Sequence, residues 1–303
     1  MSTPVYHIPV MLDPCIEGLA ILPGGVYVDV TFGGGGHAKA ILARLEGGQL
    51  FGFDQDSDAL ANAPQDPRFT FVQANFRDIK RYLRLHGIKQ VDGILADLGI
   101  SSHQIDAPER GFSTRFDGDL DMRMNQKSKT SAKEIINKYS EEKLAEILFL
   151  YGELRNSRNI AKTIVEEREE EKIETSFQLK KVLKKYLPNA KEHKILAQIF
   201  QAIRIEVNQE MEVLKEFLEQ SLEILKPGGR LSVISYHSLE DRLVKRFVKN
   251  GMFEGEPEKD FYGNFEVPFK TIEKLIVPSN EEIALNNRAR SAKLRVAEKI
   301  NHK

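Results

Sequence analysis

Four short segments, DVTFGGGGHA, FDQD, NFRD and DLGISS, each close an apolar run, and they recur roughly 20 residues apart in the first third of the chain. The runs at 26–30, 50–53, 69–72 and 91–96 have the length and composition of buried strands. Between them, 37–45, 57–62 and 78–85 carry helical spacing, the last closed by Gly87. Strands alternating with helices across short connections predict a parallel sheet with right-handed crossovers. In such sheets ligands bind beyond the carboxyl ends of the strands, and all four segments fall at those ends.

The rhythm stops after residue 107. PERGFSTRFDGDLDMRMN reads as an irregular loop that can cover a site or simply join two domains. SAKEIINKYSEEKLAEILFLYG reads as a helix capped by Ser131 or Ser140. RNSRNIAKTIVEEREEEK and SFQLKKVLKKYL follow as amphipathic helices, the second ended by Pro188. A long helix at 199–225 restores the alternation. KPGGRLSVIS then turns into a fifth strand, HSLEDRLVKRFV is a helix, and IEKLIV and AKLRVAE are final strands. The expected organisation is a discontinuous sheet domain, 1–107 and 191–303, with an all-helical domain inserted at 108–190.

Composition narrows the classes. No apolar run is long enough to span a bilayer, and MSTPVYHIPVML has no secretory pattern. A single cysteine, Cys15, excludes a disulfide scaffold and a cysteine-built zinc site, and fits a reducing cytoplasm. With a net charge of −1 the chain is no bulk polycation, so nucleic acid would have to be held by local basic patches. The histidines show no metal-ligand spacing, and no metal is expected.

The glycines at 33–36 let a backbone approach a ligand closely, and GGGGHA even matches a dinucleotide fingerprint; on its own this signal is weak, and a plain tight turn is the other reading. Asp54 ends the second strand, where an acid accepts from ribose hydroxyls. Neither feature separates a nicotinamide cofactor from S-adenosylmethionine. Asn75, Phe76 and Asp78 follow the third strand, where an adenine would lie, although Phe76 also reads as a core aromatic. Asp97 after the fourth strand suits a methyltransferase better than a dehydrogenase, because Asp29 and Asp97 would attract a sulfonium.

The ordered set HIPVML, DVTFGGGGHA, DGILADLGISSHQID, RGFS, LDMRM, YGE, FQAIRIEVNQE, GGRLSVISYHSLEDR and NNRARSAKLRV resembles the small-subunit ribosomal RNA methyltransferase H family nearly end to end. The resemblance implies a Rossmann-like class I methyltransferase sheet with an inserted helical domain. It implies S-adenosylmethionine as methyl donor, contacted by Gly35, Gly36, His37, Asp54, Phe76, Asp97 and Gln104. It also implies the exocyclic N4 of one cytidine in the decoding region of 16S rRNA as acceptor, within the small subunit, with the helical insertion helping to recognise RNA. A homodimer is one option for assembly. Gln55, Asp119 and Gln198 depart from the family's usual Arg, Pro and Arg.

For an N4 methylation, Asp97 is the expected catalytic acceptor of the amine protons, and His237 at the end of the fifth strand is the second candidate; a hydrogen-bonded structural histidine is its other reading. His7 is a weaker candidate for closing the pocket. His86, His103, His193 and His302 read as structural or solvated. Methylation at C5 would need a pocket cysteine, and Cys15 lies in no such motif. A flipped or single-stranded cytidine is expected. Its backbone could lie on Lys180, Lys181, Lys184, Lys185, Lys191 and Lys194, on Arg242, Lys245, Arg246 and Lys249, or on Arg288, Arg290, Lys293 and Arg295. The competing classes are a nicotinamide-dependent oxidoreductase and a non-catalytic RNA-binding assembly factor.

Overall fold

The computed structural model describes residues 9–257, 261 and 266–301. His7 and His302 lie outside them. Seven strands form one sheet: β1 Val26–Asp29, β2 Gln49–Asp54, β3 Phe69–Gln73, β4 Val91–Asp97, β5 Leu225–Ser235, β6 Phe269–Ile276 and β7 Lys293–Lys299. Their order is β3-β2-β1-β4-β5-β7-β6. β1 to β5 pair in parallel, and β7 runs antiparallel between β5 and β6. This is the α/β Rossmann-like sheet expected from the alternation. The order reverses between β1 and β4, and that switch point opens the crevice in which such sheets bind ligands.

The central strands β1, β2, β4 and β5 are largely buried on both faces, as the parallel part of the sheet requires, whereas the edge strand β6 is mostly exposed. Alternate residues feed two cores. Val28, Phe53, Ile94, Ala96, Leu231 and Val233 join one with Phe217 and Leu218 of the helix Glu210–Ile224 and Val244 and Phe247 of the helix Ser238–Asn250. Tyr27, Leu50, Leu95, Ile234 and Leu294 join the other with Cys15 and Leu19 of the helix Leu12–Leu19 and Ile41 of the helix Gly36–Leu42. The period of two along each strand decides which core a residue enters.

The chain divides into two compact units, 1–99 with 211–303, and 100–210. The second is helical and has its own core, in which Leu144, Ile147, Ile160, Ile164 and Leu179 meet. It extends beyond 108–190 on both sides. The reason is packing: in the helix Glu192–Asn208, Leu196, Ile199, Phe200 and Ile203 all face this core. The single helix expected over 199–225 is two helices, broken at Gln209, whose φ of 51° is left-handed. Ser131 and Ser140 both cap, one before Ala132–Lys138 and the other before Glu141–Leu150, so one expected helix is again two. Each cap is worth about 1 kcal/mol.

The loop PERGFSTRFDGDLDMRMN is built into this helical unit. Leu120 and Met122 are fully buried, Arg110 donates to the Arg123 and Met124 carbonyls, and Asn208 donates to the Met122 carbonyl. Among the described residues, no helix is long and apolar enough to cross a membrane.

Candidate active site

β1, β2 and β4 each end on an aspartate: Asp29, Asp54 and Asp97. Their hydrophobic strands end there because the next residues must turn, and the three carboxyls converge on the switch point. Each is held differently. Asp29 is 1% exposed, and its Oδ1 accepts from the Thr31 N–H at 3.1 Å. Its Oδ2 is buried with no hydrogen-bond partner among the described residues. Burial pushes the Asp29 pKa up to about 6, against the pull of His37. A buried carboxylate oxygen left unpaired costs at least about 1–3 kcal/mol, a cost that a donor or cation placed against it would relieve.

Asp54 spans the crevice. Its Oδ2 accepts from the Gly33 N–H at 2.8 Å and its Oδ1 from the Asp56 N–H at 2.9 Å. Burial again raises its pKa to about 6, with those two backbone bonds opposing. With the Gln55 N–H also bonded to the carboxylate, these backbone donors leave part of its acceptor capacity of roughly four lone pairs for a ribose hydroxyl. The Gly33 carbonyl accepts from Asn62 Nδ2 at 3.0 Å, which pins the glycine turn from its other side. Gly33 and Gly35 have φ of +46° and +73°. A Cβ on Gly35 would lie 2.9 Å from the Phe32 ring, and one on Gly36 would lie 2.3 Å from Pro9 Cγ.

Asp97 sits beside both. Its backbone N–H donates to Thr31 Oγ1 at 2.6 Å, and its Oδ1 accepts from the Tyr236 hydroxyl at 2.8 Å. Its Oδ2 is 3.9 Å from His37 Nδ1. That contact is not an ion pair at neutral pH, because burial lowers the His37 pKa below its ordinary value. His37 Nε2 lies 3.0 Å from the Val10 carbonyl, which only accepts, so Nε2 carries the ring proton.

Phe76 follows β3, half-buried, its ring edge-on to Phe217 at 5.3 Å. It therefore belongs to the core on one side and walls the β3 end on the other. Asn75 Nδ2 donates to Gln55 Oε1 at 2.9 Å and ties the loops after β2 and β3. Gln104 lies in the helical unit, where it and Ser101 form a capping box at the helix Ser102–Asp106. Gln198 donates to the Gly152 carbonyl, also within that unit.

His237 caps the helix Ser238–Asn250. Its Nδ1 faces the Glu240 N–H at 3.4 Å and its Nε2 faces Glu240 Oε1 at 3.1 Å. Nδ1 thus caps the helix, while Nε2 is buried and has no hydrogen-bond partner among the described residues. Sequence reasoning passed over its neighbour Tyr236, whose hydroxyl does reach Asp97. Asp97 pairs with Ile234 in the β4–β5 register, so position 236 lies just past the same sheet edge; the signal was there once β5 was placed beside β4. Burial, and then the Asp97 charge, hold the Tyr236 phenol well above its ordinary range, so it donates a proton and does not act as a base.

The set fits an adenosyl group that carries a cation. A positive-φ glycine turn leaves room for close backbone approach, Asp54 retains acceptor capacity, and Asp29 holds an unpaired buried oxygen. Cys15 is fully buried in the helix Leu12–Leu19, and burial raises its thiol well above the usual range.

The model of the MraW methylase family matches residues 4–300. A protein of Flavobacterium johnsoniae named ribosomal RNA small subunit methyltransferase H is 70% identical over 300 residues, covering 99% of each chain. Proteins of the same name from Flavobacterium psychrophilum and Christiangramia forsetii are 69% and 64% identical, covering 95% and 97% of this chain and 100% and 98% of theirs. A nicotinamide-dependent oxidoreductase is thereby set aside. With a carboxylate-lined crevice at the switch point of its sheet and near full-length similarity to these methyltransferases, the chain belongs to the MraW methylase family.

Proposed function

We propose that this protein transfers a methyl group to the exocyclic N4 of a cytidine in the decoding region of 16S rRNA, within the small ribosomal subunit. The observation that carries the reading is the convergence of Asp29, Asp54 and Asp97 at the ends of β1, β2 and β4, with Tyr236 on Asp97. The methyl donor is S-adenosylmethionine, which supplies an electrophilic methyl on a positive sulfur. Asp29 and Asp97 place negative charge beside that cation in a site of low dielectric. Asp54 holds ribose hydroxyls and the glycine turn together. Phe76 walls the adenine side, and Gly35, Gly36 and His37 complete the cradle.

Asp97 acts on the acceptor. The N4 lone pair is delocalised into the cytosine ring, and an acceptor on its N–H bonds favours the shift towards a nucleophilic nitrogen. As the N4–methyl bond forms and the methyl–sulfur bond breaks, N4 gains an excess proton, and Asp97 takes it. Holding amine and methyl in line can contribute roughly 7–11 kcal/mol to lowering the barrier. His237 supports this edge through Glu240. A covalent C5 route is disfavoured by the buried, weakly acidic thiol of Cys15.

RNA is held by local cations. Arg290 and Lys293 line a cavity of about 400 Å³ together with Tyr236, Val277 and Ile283. Lys293 and Arg295 are paired with Asp241, whereas Arg290 is exposed and has no ion-pair partner among the described residues. Arg242, Lys245 and Lys249 share the exposed face of their helix, while Val244 and Phe247 bury the other. The helical unit carries the lysine group of 180–194 and helps recognise RNA.

Nucleoside mass spectrometry of 16S rRNA from cells lacking the gene tests the reading. One N4-methylcytidine derivative is expected to lose its N4 methyl and to regain it on complementation. An unchanged nucleoside profile would refute the assignment.

A further inference from the structure

We propose that Tyr236 is a positioning residue for methyl transfer, its hydroxyl fixing the orientation of the Asp97 carboxylate that receives the amine. The inference rests on the role of Asp97 given above. Three contacts hold the tyrosine itself. Its backbone N–H donates to Glu240 Oε2 at 2.9 Å, which fixes the main chain where β5 passes into the capped helix. Its ring lies over Gly99, where an added Cβ would meet ring carbon Cδ2 at 3.3 Å. Its hydroxyl donates to Asp97 Oδ1 at 2.8 Å. Gly99 has a φ of +104°, so a residue with a side chain is disfavoured at the one place where the ring needs room.

The arrangement matters because a carboxylate turns easily. The terminal torsion of an aspartate is broad, and a carboxylate that swings loses its aim at an N–H bond. Thr31 fixes the Asp97 backbone through Oγ1, but that contact leaves the side-chain torsion open. The Tyr236 hydroxyl, hydrogen-bonded to Oδ1, is a contact that restrains it. A phenol held in its protonated form can only donate to an ionised carboxylate, so it also favours the charged state of Asp97, which the neighbouring Asp29 carboxyl opposes; His37, 3.9 Å from Oδ2, and the Cys15 thiol are the other titratable groups facing it. Tyr236 thus acts through Asp97 and needs no contact with the RNA base.

The test compares the wild-type full chain, Tyr236→Phe and Asp97→Asn on small-subunit rRNA, with donor affinity measured by calorimetry. Tyr236→Phe removes one oxygen. It is expected to keep the donor Kd and the KM for RNA close to wild type, to lower kcat about ten-fold, and to move the acid limb of the kcat profile up by about one pH unit. A role in packing alone would leave that limb in place. If Asp97→Asn is inactive while Tyr236→Phe keeps the wild-type kcat and acid limb, the tyrosine's role is overturned and the reading of Asp97 stands. If Asp97→Asn turns over at the wild-type rate, the reading of Asp97 is overturned and the inference goes with it. Should Tyr236→Phe lose thermal stability, the position of the acid limb, which does not depend on the amount of folded enzyme, decides.

Discussion

Asp54 Oδ2 accepts the Gly33 N–H at 2.8 Å, so the carboxylate that ends β2 also shapes the glycine turn that follows β1. Its other oxygen accepts from the Asp56 N–H. Both oxygens are therefore used as acceptors of backbone donors. Asp54→Asn turns one acceptor into an N–H₂ group aimed at an N–H. The expected cost is about 1–3 kcal/mol of stability and at least a ten-fold weaker donor Kd. Thermal melting and calorimetry check both; a variant with wild-type melting and wild-type affinity would contradict the dual role.

The buried acids predict a pH dependence. Asp29 and Asp54 have pKa values raised from 3.8 to about 6 by burial. A carboxyl whose folded pKa is raised binds more protons folded than unfolded between these values. Stability of the ligand-free protein should therefore fall as pH rises from about 4 to about 6 and level off above, by about 3 kcal/mol for one such group. Asp29→Asn removes the cost of the ionised form. It should raise the unfolding free energy at neutral pH by up to about 3 kcal/mol while weakening donor binding, since a cation prefers the ionised acid. Urea titrations across this range check the sign; a loss of stability in Asp29→Asn at neutral pH would rule the argument out.

Gly35→Ala tests the cradle. The position has a φ of +73°, and the new methyl would lie 2.9 Å from the Phe32 ring and 3.4 Å from the Asn62 carbonyl. Strain of about 1–3 kcal/mol and a displaced turn are expected. Donor affinity should drop by more than ten-fold, with RNA affinity retained. Equal losses of both would show a global defect instead.

Much of this was legible in the residues. The central strands follow from apolar runs closed by polar or glycine-rich segments, because a strand buried on both faces cannot hide its pattern. Asp54 and Asp97 were visible for the same reason, as acids at strand ends. The helix breaks were not. Ile199 to Leu225 keeps an unbroken apolar period, and only the left-handed Gln209 divides it, a conformation that glutamine does not announce. The extent of the helical unit was hidden because the helix Glu192–Asn208 carries an apolar face that suits either core. Tyr236 escaped notice because a tyrosine beside a histidine draws attention to the histidine, and only the β4–β5 register puts its hydroxyl on Asp97.

The proposed RNA surface carries its own prediction. Arg290 is exposed on the rim of the cavity that Tyr236 also lines. Arg290→Glu should raise the KM for RNA several-fold, leave the donor Kd unchanged, and reduce the slope of log KM against log salt by about one. Steady-state assays over a series of salt concentrations measure this. An unaltered slope would remove Arg290 from the RNA path.

The most direct test of the central claim uses the purified protein, small-subunit rRNA and S-adenosylmethionine carrying a deuterated methyl. After digestion, mass spectrometry of the nucleosides should find the label on N4 of cytidine with the wild type, and none with Asp97→Ala. Label on C5 of cytidine, label on another base, or undiminished labelling by Asp97→Ala would contradict the account.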